Sequence, residues 1–156
     1  MTTRTGTVRQ FQPEDAEDCS RLVCSCLDQD GSLSESARQA LVRLESPAAM
    51  RERATLFYLA VHAGEAGIIG IGGVDMNEIR LLYVHPAHRR MGVGRALLGH
   101  LEALIPPALF GNVFVYALPE AAGFYRANGY NPGGEYAFTF GGVSIPTVFM
   151  TRSLSR

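Results

Sequence analysis

Residues 89–94 read Arg-Arg-Met-Gly-Val-Gly, and their types and spacing suit the binding of a phosphate or pyrophosphate. Glycines at 92 and 94 put no Cβ in the way, so backbone N–H groups can approach an anion closely. Apolar residues at 93, 97, 98, 101 and 104 predict an amphipathic helix that begins at these glycines, with Arg95, His100 and Glu102 off the stripe. The free first-turn N–H groups and the positive dipole end of that helix then face the same spot. Arg89 and Arg90 add fixed positive charge with forked donors. Upstream, the apolar and β-branched run 79–84 predicts a strand, which Pro86 ends by lacking a donor. Strand, basic glycine loop and helix together predict an anion cradle.

The rest of the chain must position that cradle. At 156 residues it is long enough for one domain with a substantial core. The net charge of -1 gives no argument for a nucleic-acid or membrane partner. All 14 basic residues are arginines, so no lysine of the chain enters the chemistry. Cys19, Cys24 and Cys26 crowd into one segment with neither zinc-site nor redox-pair spacing, which favours free buried thiols and a reducing compartment. With no signal peptide and no long apolar run, a soluble, cytoplasmic protein is expected.

The pattern predicts strands at 7–11, 56–62, 68–74, 79–84, 112–118, 135–140 and 143–150. Helices are predicted from Pro13 to about 27, from a Ser32 or Ser34 cap to about 44, over 48–54, from 93 onward, and over 119–128. The turn 63–67 makes a hairpin of the second and third strands, and Gly141-Gly142 closes a terminal one. This order predicts a mixed α/β domain with a largely antiparallel sheet and one buried crossover.

With I-R-L-L-Y-V-H-P before the glycine loop and F-Y-R-A-N-G-Y at 124–130, the chain resembles the GCN5-related N-acetyltransferases (GNAT) over most of its length. Arg89, Gly92 and Gly94 meet that family's Q/R-x-x-G-x-G/A motif. The resemblance implies an α+β fold with about six to seven strands, four or so helices and a central splayed strand pair. It implies an acyltransferase that moves an acetyl group from acetyl-CoA directly to a primary amine in a ternary complex, without a metal. Backbone N–H groups of Arg90, Met91, Gly92, Val93, Gly94 and Arg95 would hold the CoA pyrophosphate, with Arg89 at the motif's first position. Leu82, Tyr83 and Val84 match the strand end whose backbone pairs with pantetheine, and one of their N–H groups would stabilise the oxyanion. An alkylammonium acceptor has a pKa of about 10 and must lose a proton before attack. Glu78 matches the family's base, with Asp75 as the fallback, and Tyr125 matches the tyrosine near the CoA sulfur. One departure is Leu118, where the family often has an asparagine that touches the CoA arm.

Other readings compete less well. His85 and His88 flank Pro86 without a carboxylate nearby, which favours surface or phosphate-adjacent roles over a metal site. Gly70, Gly72 and Gly73 lie inside a strand rather than opening a helix, so they predict a bulge or a close backbone approach, not a dinucleotide site. Asp28, Asp30 and Glu35 put negative charge near the first interhelical loop, read as a solvated loop before a lure for a cationic amine. Strand alternation assigns Phe138, Phe140 and Phe149 to the core before an acceptor pocket. A non-catalytic acyl-CoA-binding or sensing module on the same fold is the alternative function, and whether the chain pairs into a homodimer stays open.

Overall fold

The computed structural model describes residues 2–3 and 6–154. Their strands are β1 (Thr2–Thr3), β2 (Gly6–Gln10), β3 (Tyr58–Gly64), β4 (Gly67–Asp75), β5 (Glu78–Val84), β6 (Asn112–Ala117), β7 (Asn131–Phe140) and β8 (Val143–Ser153). They form one sheet in the order β1-β2-β3-β4-β5-β6-β8-β7. Every neighbouring pair is antiparallel except β5 with β6. The helices are α1 (Ala16–Asp28), α2 (Glu35–Leu44), α3 (Pro47–Arg53), α4 (Val93–Ala103) and α5 (Ala122–Ala127). The expected mixed, mostly antiparallel sheet is therefore present, with seven strands of five or more residues, a two-residue edge strand and five helices. No helix of the described residues is long and apolar enough to cross a membrane.

Some boundaries differ from the sequence reading. Leu56 is in a turn and 71% exposed, and β3 begins only at Tyr58. The turn is closed by Leu56 and Phe57 N–H groups bonding back to the Arg53 carbonyl, which uses the donors a strand would have needed. The first strand starts one residue earlier than expected, at Gly6, and the segment after Pro13 is a short 3₁₀ turn before α1. β7 starts at Asn131, four residues early, and the register slips between Pro132 and Glu135. Leu104 caps α4 and is exposed, while the smaller Ala96 joins the buried stripe.

Two apolar clusters sandwich the sheet. On one face α4 contributes Val93, Ala96, Leu97, Leu98 and Leu101, and α5 adds Ala122 and Tyr125. On the other, α1, α2 and α3 contribute residues such as Leu22, Val23, Leu41 and Met50 against Val61, Ile71 and Leu81. The glycines of β4 let α4 lie close. A Cβ at Gly70 would sit 2.7 Å from Leu97 Cδ1, and one at Gly72 would sit 2.8 Å from Leu101 Cδ1. Side chains there would push the helix off the sheet.

The parallel pair at the centre is brief. β5 and β6 are in register only at Glu78 with Phe114 and Ile79 with Val115. Arg80 comes next, and it is an extra residue: β4 pairs Val74 with Ile79 but Gly73 with Leu81. Such a bulge bends the strand, increases its twist and reverses which side chain faces which side. Ile79 accordingly packs in the α4 cluster, while Leu81 and Tyr83 belong to the α1 cluster and Leu82 and Val84 to that of α4. Beyond the bulge β5 stays paired with β4 and leaves β6, opening a wedge between them.

Candidate active site

The wedge leads into a cavity of about 840 Å³, walled by β5 from Arg80 to Val84, β6 from Val115 to Ala117, the glycine loop and α5. At one end lies the start of α4. Helices α2 and α3 are capped by Ser34 and Ser46, whose hydroxyls accept from Ala37 N at 3.1 Å and Ala49 N at 3.2 Å. By contrast α4 begins after Gly92 in a left-handed conformation (φ 83°) with no side-chain cap. Its first backbone donors thus have no intrahelical acceptor and face the cavity. Arg90 is also left-handed at φ 62°, a conformation that costs a non-glycine residue energy and curls the loop around the helix end. A Cβ at Gly94 would meet the Phe124 ring at 3.0 Å, so the loop seats directly on α5.

Positive charge gathers at this end. The guanidinium groups of Arg89, Arg90 and Arg95 line the cavity beside the His88 ring, and Arg89 Nε reaches the Val84 carbonyl at 3.4 Å. His88 Nδ1 is buried without a hydrogen-bond partner among the described residues. His85 is committed locally: its Nδ1 accepts from Ala87 N–H at 3.1 Å and caps the turn after β5. An uncapped helix start, three guanidinium groups and an orphaned ring nitrogen fit a phosphate-bearing ligand.

Along the wedge the backbone of β5 alternates. His85 N–H donates to the Ile69 carbonyl at 2.8 Å, on the β4 side. With a period of two, Tyr83 and Leu81 also turn toward β4, and Leu82 and Val84 turn their N–H and C=O groups into the wedge. Of the three residues matched to the pantetheine strand, Tyr83 therefore differs. Its backbone is spent on β4, and its ring packs in the α1 cluster, where burial and then the Glu45 carboxylate hold its hydroxyl protonated.

Tyr125 lines the cavity from α5, with its ring packed edge-on against Phe124 and Tyr130. Burial, reinforced by Glu102, pushes its hydroxyl well above the ordinary tyrosine range, so the proton stays on at neutral pH. Glu78 stands just before the bulge and does not line the cavity. Its carboxyl is raised by burial, an effect opposed by Arg80. Arg80 separates it from the cavity, with Nε 3.9 Å from Glu78, NH1 3.3 Å from Asp75 and its guanidinium stacked on Phe57. Met91 likewise stands outside the cavity wall.

Residues to which the sequence assigns no part in the site complete the walls. Cys26, Arg80, Tyr116 and Glu120 line the cavity, as does Leu118 at the position of the missing asparagine. Of the three acids near the first interhelical loop, Asp28 and Glu35 pair with Arg38, and only Asp30 reaches the cavity. It lies beside Glu120, whose carboxyl is held above its ordinary range by Asp30 first and burial second. The expectation that Phe138 and Phe140 fill the core is corrected: they are 38% and 40% exposed. They sit on β7, the edge strand of the sheet, which is exposed along its whole length.

Comparison with known proteins fits this geometry. No curated protein sequence matches the chain. A GCN5-related N-acetyltransferase from Rhodopseudomonas palustris superposes with a TM-score of 0.89 at 24% identity, covering 99% of both chains. The paia N-acetyltransferase of Thermoplasma acidophilum, solved with coenzyme A, gives 0.74 at 18%, covering 94% of this chain and 98% of its own. For yncA from Salmonella typhimurium, solved with its cofactor acetyl-CoA, the values are 0.65 and 15%, with 96% and 94% covered. A family profile described as an acetyltransferase (GNAT) domain matches residues 53–132, half of the chain, running from the end of α3 through the wedge, cradle and α5. The sequence match and the shared fold agree, and the chain belongs to the GNAT acetyltransferase family.

Proposed function

We propose that the protein is an acetyl-CoA-dependent N-acetyltransferase that passes the acetyl group directly to a primary amine in a ternary complex. The observation that carries this reading is the divergence of β5 from β6, which leaves the backbone edges of Leu82 and Val84 without a partner strand beside an uncapped helix start. A long ligand with a pyrophosphate at one end and amides along its arm needs that combination. The cradle from Arg89 to Arg95 takes the phosphates, and Leu82 and Val84 pair with the arm. One of their N–H groups then faces the thioester oxygen, where negative charge develops on attack.

Proton handling follows from the same residues. The acceptor ammonium gives its proton to the Glu78 side of the site, through water because Arg80 separates that carboxylate from the cavity. The amine nitrogen forms a bond to the acetyl carbon as the carbon–sulfur bond breaks, and the new amide nitrogen sheds its second proton to solvent. Tyr125 supplies a proton to the departing thiolate and regains one from solvent. A reducing, cytoplasmic setting suits the free thiols Cys19, Cys24 and Cys26.

The test is a thermal-shift titration with acetyl-CoA, CoA, ATP and NAD, followed by a CoA-release assay with amines. A ligand at a hundredfold its dissociation constant adds about 2.7 kcal/mol, which for this size of chain raises Tm by roughly 5–11 °C. A shift with both CoA species and none with NAD is expected, and CoA release should depend on added amine. A folded sample that ignores both CoA species overturns the reading.

A further inference from the structure

The cavity continues past the wedge to Tyr116, and there its character changes. Tyr116 is the hub of a set of rings on the sheet face away from α4. Its centroid lies 4.9 Å from Phe138, 5.3 Å from Phe149, 5.8 Å from Tyr136 and 6.0 Å from Phe114, three of these contacts being edge-to-face. The register brings them together: Tyr116 pairs directly with Phe149, while Tyr136 and Phe138 stand opposite Thr147 and Ile145. Tyr136 is 51% exposed, and neither its hydroxyl nor that of Tyr116 has a hydrogen-bond partner among the described residues. An aromatic surface of this kind, continuous with a cavity, is open to a ligand.

Around Arg80, which lines this part of the cavity, acids outnumber bases. Asp75 and Glu78 share the single guanidinium of Arg80, and Phe114 of the ring cluster pairs directly with Glu78. Asp30 and Glu120 stand farther along the cavity wall, where Arg89 opposes the rise of the Glu120 carboxyl. An ammonium group is welcome among these acids, whereas a carboxylate on the same ligand is repelled, because Arg80 is already held by two acids. Rings for a flat apolar body lie next to acids for a cationic head.

We propose that the acceptor is a primary amine with an aromatic or similarly flat apolar body and no carboxylate, its body on the Tyr116 ring cluster and its nitrogen toward Glu78. This rests on the acetyl-transfer reading above. Edge-to-face contacts with Tyr116, Phe138 and Phe149 hold the ring, and the free hydroxyls of Tyr116 and Tyr136 leave room for a polar ring substituent.

The test measures CoA release at saturating acetyl-CoA with 2-phenylethylamine, 1,4-diaminobutane and phenylalanine. The expected result is a kcat/KM for 2-phenylethylamine at least about tenfold above the other two. Phe138→Ala and Tyr136→Ala, on an exposed edge strand where folding is not at stake, should raise its KM roughly threefold to tenfold while the KM for acetyl-CoA stays put. A preference for diaminobutane or phenylalanine, or equal losses with every amine in the two variants, overturns the proposal and leaves acetyl transfer intact. Binding of acetyl-CoA with no transfer to any amine overturns both readings. A stable dimer that Phe138→Ala breaks apart makes the rings a subunit interface and also overturns it.

Discussion

The thiol of Cys26 in α1 donates to the Val84 carbonyl at 3.1 Å, linking a helix on one face of the sheet to the strand end that forms the wedge. The same carbonyl receives Arg89 Nε at 3.4 Å, so three segments meet on one backbone oxygen where the wedge joins the cradle. Burial raises the Cys26 thiol above its ordinary range, opposed by Arg89, and the protonated donor form therefore prevails at neutral pH. Alkylation should reach half-buried Cys24 first and Cys26 only slowly, and acetyl-CoA should slow Cys26 further. Cys26→Ala removes the donor and should cost about 0.5–1.5 kcal/mol, a fall in Tm of roughly 1–6 °C. Mass spectrometry of the labelled protein checks the order, and equal labelling rates for Cys24 and Cys26 would contradict it.

Tyr125→Phe tests the thiolate's proton source. The ring is fully packed, so losing the hydroxyl leaves Phe124 and Tyr130 in place and the fold unchanged. A CoA thiol has a pKa near that of cysteine, about 8.5, and leaves without help more readily than an alkoxide, so the loss falls at the low end of acid catalysis. Turnover should drop roughly tenfold to a hundredfold, with the KM for acetyl-CoA within about twofold of wild type. Unchanged turnover removes Tyr125 from the chemistry.

Glu78 makes a prediction with two signs. Burial raises its carboxyl, so its base form is lost at a pH above the ordinary carboxylate range, and kcat/KM should fall on the acid side through that raised value. In Glu78→Gln that limb should disappear, leaving a lower rate that climbs with the deprotonation of the amine itself. Stability moves the other way. A carboxyl raised in the folded state favours the protonated form, so its contribution is full below the unfolded pKa and is lost as pH rises through the folded one. Glu78→Gln should therefore raise Tm at pH 8 and leave it unchanged near pH 4. A matching pH–rate profile in wild type and variant would remove Glu78 as the base.

These residues also mark what the sequence could and could not disclose. The glycine loop and the helix start behind it are legible because their signals are local: glycines at 92 and 94, arginines beside them, and a helical stripe starting at once. The bulge at Arg80 is not. Residues 79–84 read as one unbroken strand, and a single extra residue changes no apolar pattern while reversing every side chain after it. For that reason Ile79 and Leu81, which alternation assigns to one face, pack in opposite clusters. Alternation placed Phe138 and Phe140 on one face but carries no information on whether a helix covers that face. Cys26 lies 58 residues from Val84, beyond the reach of any spacing rule.

Gly70 connects the fold to the cradle and gives the sharpest stability test. A Cβ there would stand 2.7 Å from Leu97 Cδ1 and 3.0 Å from Val93 Cγ1, and both side chains are fully buried with little room to yield. Gly70→Ala should cost about 1–3 kcal/mol, lowering Tm by roughly 2–12 °C. Val93 is the first residue of α4, so the displacement moves the uncapped helix start, and acetyl-CoA affinity should fall together with Tm. Gly31→Ala is the control: nothing lies within 4 Å of its Cβ and its backbone is not left-handed. It should melt within about 1 °C of wild type. Leu97→Val in the Gly70→Ala background shortens the obstructing side chain and should recover part of the affinity even where it does not recover Tm. If Gly70→Ala loses stability but binds acetyl-CoA as wild type does, the sheet holds the helix without setting the position of its N-terminus, and the cradle is aligned by Gly94 against Phe124 alone.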